Sequence, residues 1–151
     1  VKVDYPAAGS ERKILDLSRE EQNLNFKSFE KPLTQLELDK ARKSVRDVHM
    51  SEQVEEYLVQ IVLATRNSDK YGGDLNNWLE YGASPRATIA LDVCSKALAW
   101  LNNKDFVSPD DIRSVAHDIL RHRIILSFEA EANGVSSDQV IDELLRVVPS
   151  A

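Results

Sequence analysis

Apolar residues recur every three or four positions over much of the chain, and this spacing predicts amphipathic helices. One such stripe follows Thr34 and reaches Val48. The next begins after Ser51, whose hydroxyl can cap a helix, and ends near Asn67 before a long polar loop. One broad side of this helix carries Val54, Leu58, Ile61, Val62 and Thr65.

Ser84 and Pro85 mark the start of a longer helix that we expect to reach Trp100 or Leu101. A capping hydroxyl followed by proline at the first helical position is a strong start signal, because proline has no amide hydrogen to leave unpaired there. The apolar residues of this helix lie nearly all round it, which predicts a central place in the core. They include Ile89, Ala90, Leu91, Val93, Ala97, Leu98 and Trp100.

Serine residues also mark the starts of the last two predicted helices. Ser108 precedes a proline and two aspartates, which together form a capping box. Ser137 is predicted to cap a short final helix that Pro149 ends. The residues expected to face inward are Ile112, Val115, Ala116, Ile119 and Leu120 in the first of these helices, and Val140, Ile141, Leu144 and Leu145 in the second.

The amino-terminal region has a different pattern. Val1 to Asp4 alternates between apolar and polar residues and stops before a proline, which predicts one isolated strand. Ser10 is predicted to cap a helix that runs to about Leu24, and an irregular segment follows. We place a domain junction there, so that 1–33 and 34–151 form separate parts. Since the first residue is not methionine, we expect the amino end to be a cut inside a longer protein.

Composition narrows the range of partners. The 151 residues are 42% hydrophobic, enough to bury a substantial core. The formal charge of −6 opposes binding to nucleic acid unless basic residues gather on one face. The apolar runs are far shorter than the roughly 20 residues of a membrane span. A single cysteine, Cys94, gives no internal disulfide, so the cytoplasm is the simplest expected location.

The string Gly82-Ala83-Ser84-Pro85-Arg86-Ala87, followed by an apolar helix and then Val107-Ser108-Pro109-Asp110-Asp111-Ile112, is the most informative part of the chain. It resembles the MoxR family of AAA+ ATPases, and the resemblance extends to Val1–Leu15 and to the segment after His117. In that family the first string is the sensor 2 signature. The resemblance implies an all-α helical lid at 34–151, with a short strand, a helix and a hinge left from the α/β ATPase core at 1–33.

The resemblance places the sensor 2 arginine at Arg86, which makes Arg86 the candidate catalytic residue. A guanidinium is charged at any physiological pH, and its rigid fork of donors matches phosphate oxygens. Arg86 also falls in the first turn of its helix, where unpaired amide groups and the helix dipole favour an anion. Ser84 and Pro85 would fix where that helix begins. The alternative is a solvated arginine beside an ordinary helix cap.

The phosphate-binding loop of an ATPase has no counterpart in this sequence. None of its five glycines is followed by lysine, as the loop requires. We therefore expect no enzyme activity and no cofactor in this chain by itself, with ATP and Mg²⁺ used by the full-length protein. The resemblance implies that hinge residues can touch adenine, so Tyr5, Ile14, Ala83 and Ser84 join Arg86 as candidate nucleotide contacts. An apolar packing role is an equal alternative for Tyr5, Ile14 and Ala83.

Other chemistry is poorly supported. His117 and His122 are five residues apart, which does not align them on one helix face, and no metal site is expected. Asp110 and Asp111 suit helix capping better than catalysis. Cys94 is expected to be structural, within an apolar helix.

The implied partners are the AAA+ core of the same protein, neighbouring subunits of a hexameric ring and a client protein that the sequence does not identify. Neither nucleic acid nor a membrane span is expected. Two other functions remain open: a free-standing helical adaptor that binds another protein, and the lid of a magnesium-chelatase-like AAA+ protein. A lid should present Arg86 to a nucleotide, whereas an adaptor should leave it in solvent.

Overall fold

The computed structural model describes residues 5–22 and 33–150. The chain divides into two compact units, Val1–Leu38 and Asp39–Ala151. The predicted strand at Val1–Asp4 and the irregular segment at 23–32 lie outside the described residues. No helix of the described part is long and apolar enough to cross a membrane.

Two helices occupy the amino-terminal part of the chain, α1 (Ala8–Gln22) and α2 (Gln35–Arg46). Ser10 lies inside α1, so the prediction that it caps this helix is wrong: the chain is already helical from Ala8. Thr34 caps α2, because its hydroxyl accepts from the Glu37 amide at 3.2 Å. None of the α2 side chains is buried, so only Val48, the last residue of the predicted stripe and just beyond the helix, belongs to the core.

The second unit begins inside α2, at Asp39, and contains most of the secondary structure. Ser51 caps the helix that follows α2, since its hydroxyl accepts from the Val54 amide at 3.4 Å. The elements after α2 are α3 (Glu52–Ala64), a 3-10 turn (Ser68–Lys70), α4 (Leu75–Trp78), β1 (Leu79–Tyr81), α5 (Pro85–Leu101), α6 (Pro109–Leu120), β2 (Ile125–Leu126), α7 (Phe128–Ala132) and α8 (Ser137–Val147). The predicted all-α class is confirmed, because strands contribute only one short pair.

Four of these helices, α3, α5, α6 and α8, surround the core of the second unit. Helix α5 packs on α3 and α6, and α8 packs on α3 and α6. Their buried faces follow the predicted helical spacing. The largest fully buried side chains are Tyr57, Leu58, Ile61, Leu75, Leu91, Ile112, Leu120, Ile141 and Leu144.

A small two-stranded sheet has one strand, β1, in the region that the sequence predicts as loop. Strands β1 and β2 pair antiparallel, with Leu79 opposite Leu126 and Tyr81 opposite Ile125. The Ser127 amide extends the connection by donating to the Trp78 carbonyl at 2.8 Å. These strands are too short for an alternating pattern to show in the sequence, which explains why they were not predicted.

Helix α5 has the predicted bounds but not the predicted surroundings. Only its face formed by Ala87, Leu91, Ser95 and Ala99 is fully buried. Ile89 and Val93 are 65% and 52% exposed, and Cys94 is exposed too. The expectation of a central helix with apolar packing nearly all round it is therefore wrong. Among the described elements, α3 and α6 cover one side of α5.

The start of α6 matches its predicted capping box. The Asp111 carboxylate accepts from the Ser108 amide at 2.9 Å and from the Ser108 hydroxyl at 2.7 Å. Lys104 donates to the same carboxylate at 2.9 Å. Burial raises the pKa of Asp111, but these hydrogen bonds outweigh that effect and hold its pKa below the usual value. Asp111 is thus a capping residue, as predicted.

The last helix, α8, starts one residue earlier than predicted. Its cap is Ser136, whose hydroxyl accepts from the Gln139 amide at 3.3 Å while the Gln139 side chain accepts from the Ser136 amide at 2.7 Å. Ser137 is the first helical residue and not the cap. Both serines fit the sequence pattern, but only Ser136 has a suitable acceptor three residues later.

These two adjacent serines allow a direct test of the cap. We expect Ser136→Ala to lower the free energy of unfolding by about 1 kcal/mol, because the α8 amide groups lose their acceptor. Ser137→Ala, the matched control, should change it by less than about half that amount, since alanine is favourable inside a helix. Urea denaturation of the 151-residue chain measures both. Equal losses in the two variants would contradict the assignment of the cap to Ser136.

Candidate functional site

The segment between β1 and α5 carries the string singled out in the sequence. After Tyr81 the chain passes through Gly82 and Ala83 and enters α5 at Ser84, which has the extended backbone of a cap residue, with φ −76° and ψ 169°. Pro85 is the first helical residue and Arg86 the second. The predicted start of this helix is confirmed, and it places Arg86 in the first turn.

Arg86 extends from this turn into solvent. Its side chain is exposed, and it has no hydrogen bond or ion pair with any residue of 5–22 or 33–150. The Ser84 hydroxyl makes no capping hydrogen bond, contrary to the expectation from the sequence. Among the described residues, the first turn of α5 therefore presents an unpaired guanidinium at a helix start without a side-chain cap, where the Ala87 amide already donates to the Ser84 carbonyl at 2.8 Å.

Such an arrangement is chemically suited to a phosphate. The guanidinium offers paired donors, and the helix start adds the positive end of the helix dipole. No carboxylate of the described residues is paired with Arg86, so its charge is not already neutralised. These residues fit an anionic ligand better than a cation or an apolar one.

The other candidate nucleotide contacts differ in exposure. Ala83 is 1% exposed and belongs to the core of the second unit, so its side chain already packs against protein. Ser84 is exposed beside Arg86. In the first unit, Tyr5 is fully exposed and Ile14 is 52% exposed. Ser84 and Arg86 thus share one surface, and Ala83 lies beneath it.

The carboxyl end of α3 holds the segment that precedes Arg86. The Ala83 amide donates to the Thr65 hydroxyl at 2.9 Å, and the Thr65 hydroxyl donates to the Val62 carbonyl at 2.7 Å. Arg66 donates through Nε to the Ala83 carbonyl at 2.6 Å. Both backbone groups of Ala83 are therefore hydrogen-bonded to consecutive residues of a different helix end.

Gly82 makes this close approach possible. A Cβ atom at this position would lie 2.6 Å from the Thr65 carbonyl carbon and 2.8 Å from Cγ of Arg66, with the Thr65 carbonyl oxygen closer still. Carbon atoms that are not bonded approach no closer than about 3.5 Å without repulsion. Glycine is required here for space, since the backbone of Gly82 is not in the left-handed region.

Thr65 and Arg66 are functional candidates that the sequence did not suggest. The apolar stripe of α3 includes Thr65, but a threonine on a buried helix face signals a hydroxyl that needs a partner. The sequence therefore indicates that the Thr65 hydroxyl needs a hydrogen-bond partner, but it does not identify that partner. Arg66 carries no local signal, because its acceptor is 17 residues away.

The aromatic residues before the string have different roles. Trp78 is half-buried and packs against the core, so it anchors its own loop. Tyr81 is 62% exposed at the end of β1, opposite Ile125. The loop is thus anchored by Trp78, whereas Tyr81 lies on the surface.

Within the described residues, neither His117 nor His122 forms a hydrogen bond or ion pair with Arg86. His117 contacts Asp142, with 3.0 Å between Nε2 and Oδ1, and His122 contacts Arg123. Within the described ranges no three His, Cys, Asp or Glu residues are grouped as a metal site requires. These contacts link helices and neighbouring residues and have no evident chemical role.

A family model supports the interpretation of this region. The AAA lid domain model matches residues 76–144, which include β1, α5 with Arg86, α6, α7 and most of α8. The match thus contains the candidate site, but not the carboxyl end of α3 that holds it.

Proteins of known name are similar over parts of their length. Chaperone MoxR1 of Mycobacterium tuberculosis is 37% identical over 94 residues, which are 62% of this chain and 25% of the relative. Protein MoxR of Methylorubrum extorquens is 31% identical over 74 residues, 49% of this chain and 21% of the relative. The YeaC protein of Bacillus subtilis is 28% identical over 148 residues, 98% of this chain and 43% of the relative.

One solved structure resembles almost the entire chain. The crystal structure of a protein from Cytophaga hutchinsonii, described as a candidate ATPase, matches with a TM-score of 0.83 and 40% sequence identity. The match covers 99% of this chain and 45% of that protein. The chain therefore spans less than half the length of the proteins it resembles.

Proposed function

We propose that this chain, which belongs to the MoxR family of AAA+ ATPases and carries their lid domain, supplies Arg86 as the sensor 2 residue of the full-length protein. In this role Arg86 binds the terminal phosphate of ATP and makes the position of the lid depend on the nucleotide. The exposed guanidinium in the first turn of α5, which has no partner among residues 5–22 and 33–150, is the observation that supports the proposal.

The physical reason is that the charge of the Arg86 guanidinium has no partner among the described residues. A surface arginine without an acid partner keeps its full charge for a ligand, and the positive end of the helix dipole lies on the same side. Ser84, beside Arg86, can donate its hydroxyl to the same ligand. Nucleotide contacts of Tyr5 and Ile14 belong to the proposal too, but no contact in the structure supports them.

The remaining parts of the reaction belong to the full-length protein. ATP supplies the phosphate that Arg86 binds, and Mg²⁺ neutralises phosphate charge, with ligands that we do not assign to this chain. We propose that the partners are the AAA+ core of the same protein, neighbouring subunits of a hexameric ring and a client protein that the ring remodels. A cytoplasmic location, which the single cysteine favours, completes the proposal.

Nucleotide selectivity tests the proposal directly. We expect Arg86→Ala in the full-length protein to weaken binding of a slowly hydrolysed ATP analogue about tenfold or more, because hydrogen bonds to charged groups contribute about 1.5–3 kcal/mol. ADP lacks the terminal phosphate, so its affinity should change less than about twofold. Titration with fluorescent forms of both nucleotides measures the difference.

Lys96→Ala is the control for this measurement. It removes a cation from the same helix, but Lys96 is paired with Asp92 at 2.8 Å and lies almost three turns from Arg86. Both nucleotides should bind this variant as they bind the wild type. Unchanged affinity for the ATP analogue in Arg86→Ala would remove the sensor role and favour a helical adaptor that binds another protein.

A further inference from the structure

We propose that Thr65 and Arg66 are positioning residues that set the direction of Arg86. The inference rests on the sensor 2 function proposed for Arg86. The end of α3 binds both the backbone amide and the backbone carbonyl of Ala83. Only Ser84 and Pro85 separate Ala83 from Arg86, so the connection between the end of α3 and Arg86 is short.

The hydrogen bond from the Ala83 amide to Thr65 is rigid because both residues are buried. Thr65 is 2% exposed and Ala83 is 1% exposed. The Thr65 hydroxyl accepts from the Ala83 amide while donating to the Val62 carbonyl, so both of its hydrogen-bonding roles are used. A buried amide that lost this acceptor would have no water to replace it, and the segment would move to find another partner.

The Ala83 carbonyl is held by a hydrogen bond from the charged side chain of Arg66. Arg66 donates to the Ala83 carbonyl at 2.6 Å, a short distance typical of a hydrogen bond from a charged donor. The Arg66 side chain is exposed, so it adds little to the core. Its hydrogen bond therefore affects mainly the direction in which the chain leaves Ala83.

Gly82 and Pro85 limit the movement at either end of the segment. Gly82 lies so close to Thr65 that no side chain fits between them. Pro85 has a fixed φ and begins the helix. With Ala83 held between these two residues, the first turn of α5 has little freedom, and the Cα–Cβ direction of Arg86 is set by the end of α3.

This arrangement predicts a loss of turnover without a loss of nucleotide binding. In the full-length protein we expect Thr65→Val and Arg66→Gln each to lower kcat for ATP about 10- to 100-fold, since a misplacement of about 1 Å can cost that much. The KM for ATP should change less than about threefold, because the phosphate contact is misdirected but its charge remains. Thr65→Ser, which keeps the hydroxyl, should restore most of the rate.

Two further measurements separate positioning from a general structural effect. Arg123 also donates to a backbone carbonyl, that of Ile119 at 2.6 Å, so Arg123→Gln is a matched control and should keep the wild-type kcat. In the Arg86→Ala background, Thr65→Val and Arg66→Gln should lower kcat no further, since they act through Arg86. Thermal melting identifies any variant that does not fold, and Arg66→Gln, with its exposed side chain, remains informative if Thr65→Val unfolds.

The outcomes distinguish this inference from the function on which it rests. A large loss in Arg86→Ala together with wild-type kcat in folded Arg66→Gln and Thr65→Val would overturn the positioning role alone. Equal further losses in the Arg86→Ala background would overturn it too, because the residues would then act by another route. Normal turnover in Arg86→Ala would overturn both the sensor function and the positioning role.

Discussion

Arg86→Ala in the full-length protein should lower the rate of ATP hydrolysis by about tenfold or more, since an arginine that stabilises phosphoryl transfer can contribute roughly 10³-fold or more. Charge on the transferring phosphate is spread over its oxygens in the transition state, and a preorganised cation stabilises that charge. Since the Arg86 side chain is unpaired in the lid, it is free to form this contact and loses no other partner by doing so.

The same substitution should leave the fold intact. The core packing of α5 comes from Ala87, Leu91, Ser95 and Ala99, and Arg86 is outside this face. Truncating an exposed, unpaired side chain changes the free energy of unfolding by less than about 0.5 kcal/mol. A loss of turnover with an unchanged melting temperature therefore reports on the reaction and not on folding.

Lysine at this position should restore little of the rate. Arg86→Lys keeps the charge but replaces a planar fork of donors by a compact ammonium group. Steady-state ATPase rates and melting temperatures of wild type, Arg86→Ala and Arg86→Lys give the comparison, with Lys96→Ala as the control cation on the same helix. Wild-type turnover in a folded Arg86→Ala protein would show that the hydrolysis step does not use this arginine.

Local signals explain which parts of the fold the sequence predicts. Helices α3, α5 and α6 begin where serine precedes suitable first-turn residues, because capping depends on neighbours in the sequence. The failure at α8, where Ser136 and not Ser137 is the cap, is a shift by one residue between two serines. The start of α1 at Ala8 shows that a helix can also begin without a serine cap.

Burial is less predictable because neighbouring helices decide it. Apolar residues all round α5 suggest a buried helix, yet Ile89 and Val93 are exposed since α3 and α6 cover the opposite side. The residues of the candidate site likewise differ in how far the sequence predicts them. Arg86 follows from the string it belongs to, whereas Thr65 and Arg66 reach Ala83 across 18 and 17 residues of chain. No local pattern encodes a contact of that separation.

Gly82→Ala should be the most disruptive small substitution near the site. The added methyl would overlap the Thr65 carbonyl, and the Cγ atom of Arg66 would lie 2.8 Å from it. A flexible side chain can move, but the Thr65 carbonyl belongs to the end of α3 and cannot easily do so. We expect the free energy of unfolding to fall by about 1–3 kcal/mol, the usual cost of forcing extra volume into a packed region.

The same movement should also impair function. If the segment shifts to accommodate the methyl, the hydrogen bonds from Ala83 to Thr65 and from Arg66 to Ala83 lengthen together. Arg86 is three residues after Ala83 and would change direction with the first turn of α5. Turnover of the full-length Gly82→Ala protein should therefore fall even at temperatures where the protein remains folded.

Gly9→Ala separates the steric effect at Gly82 from the general effect of replacing glycine. Nothing lies within 4 Å of a Cβ at Gly9, and Gly9 is helical in α1, so alanine there should raise stability by up to about 1 kcal/mol. Urea denaturation of the 151-residue chain compares the two variants with the wild type. Since alanine otherwise favours the folded state over glycine, a Gly82→Ala protein as stable as the wild type would mean that the end of α3 can move away, and the tight connection to Arg86 would not exist.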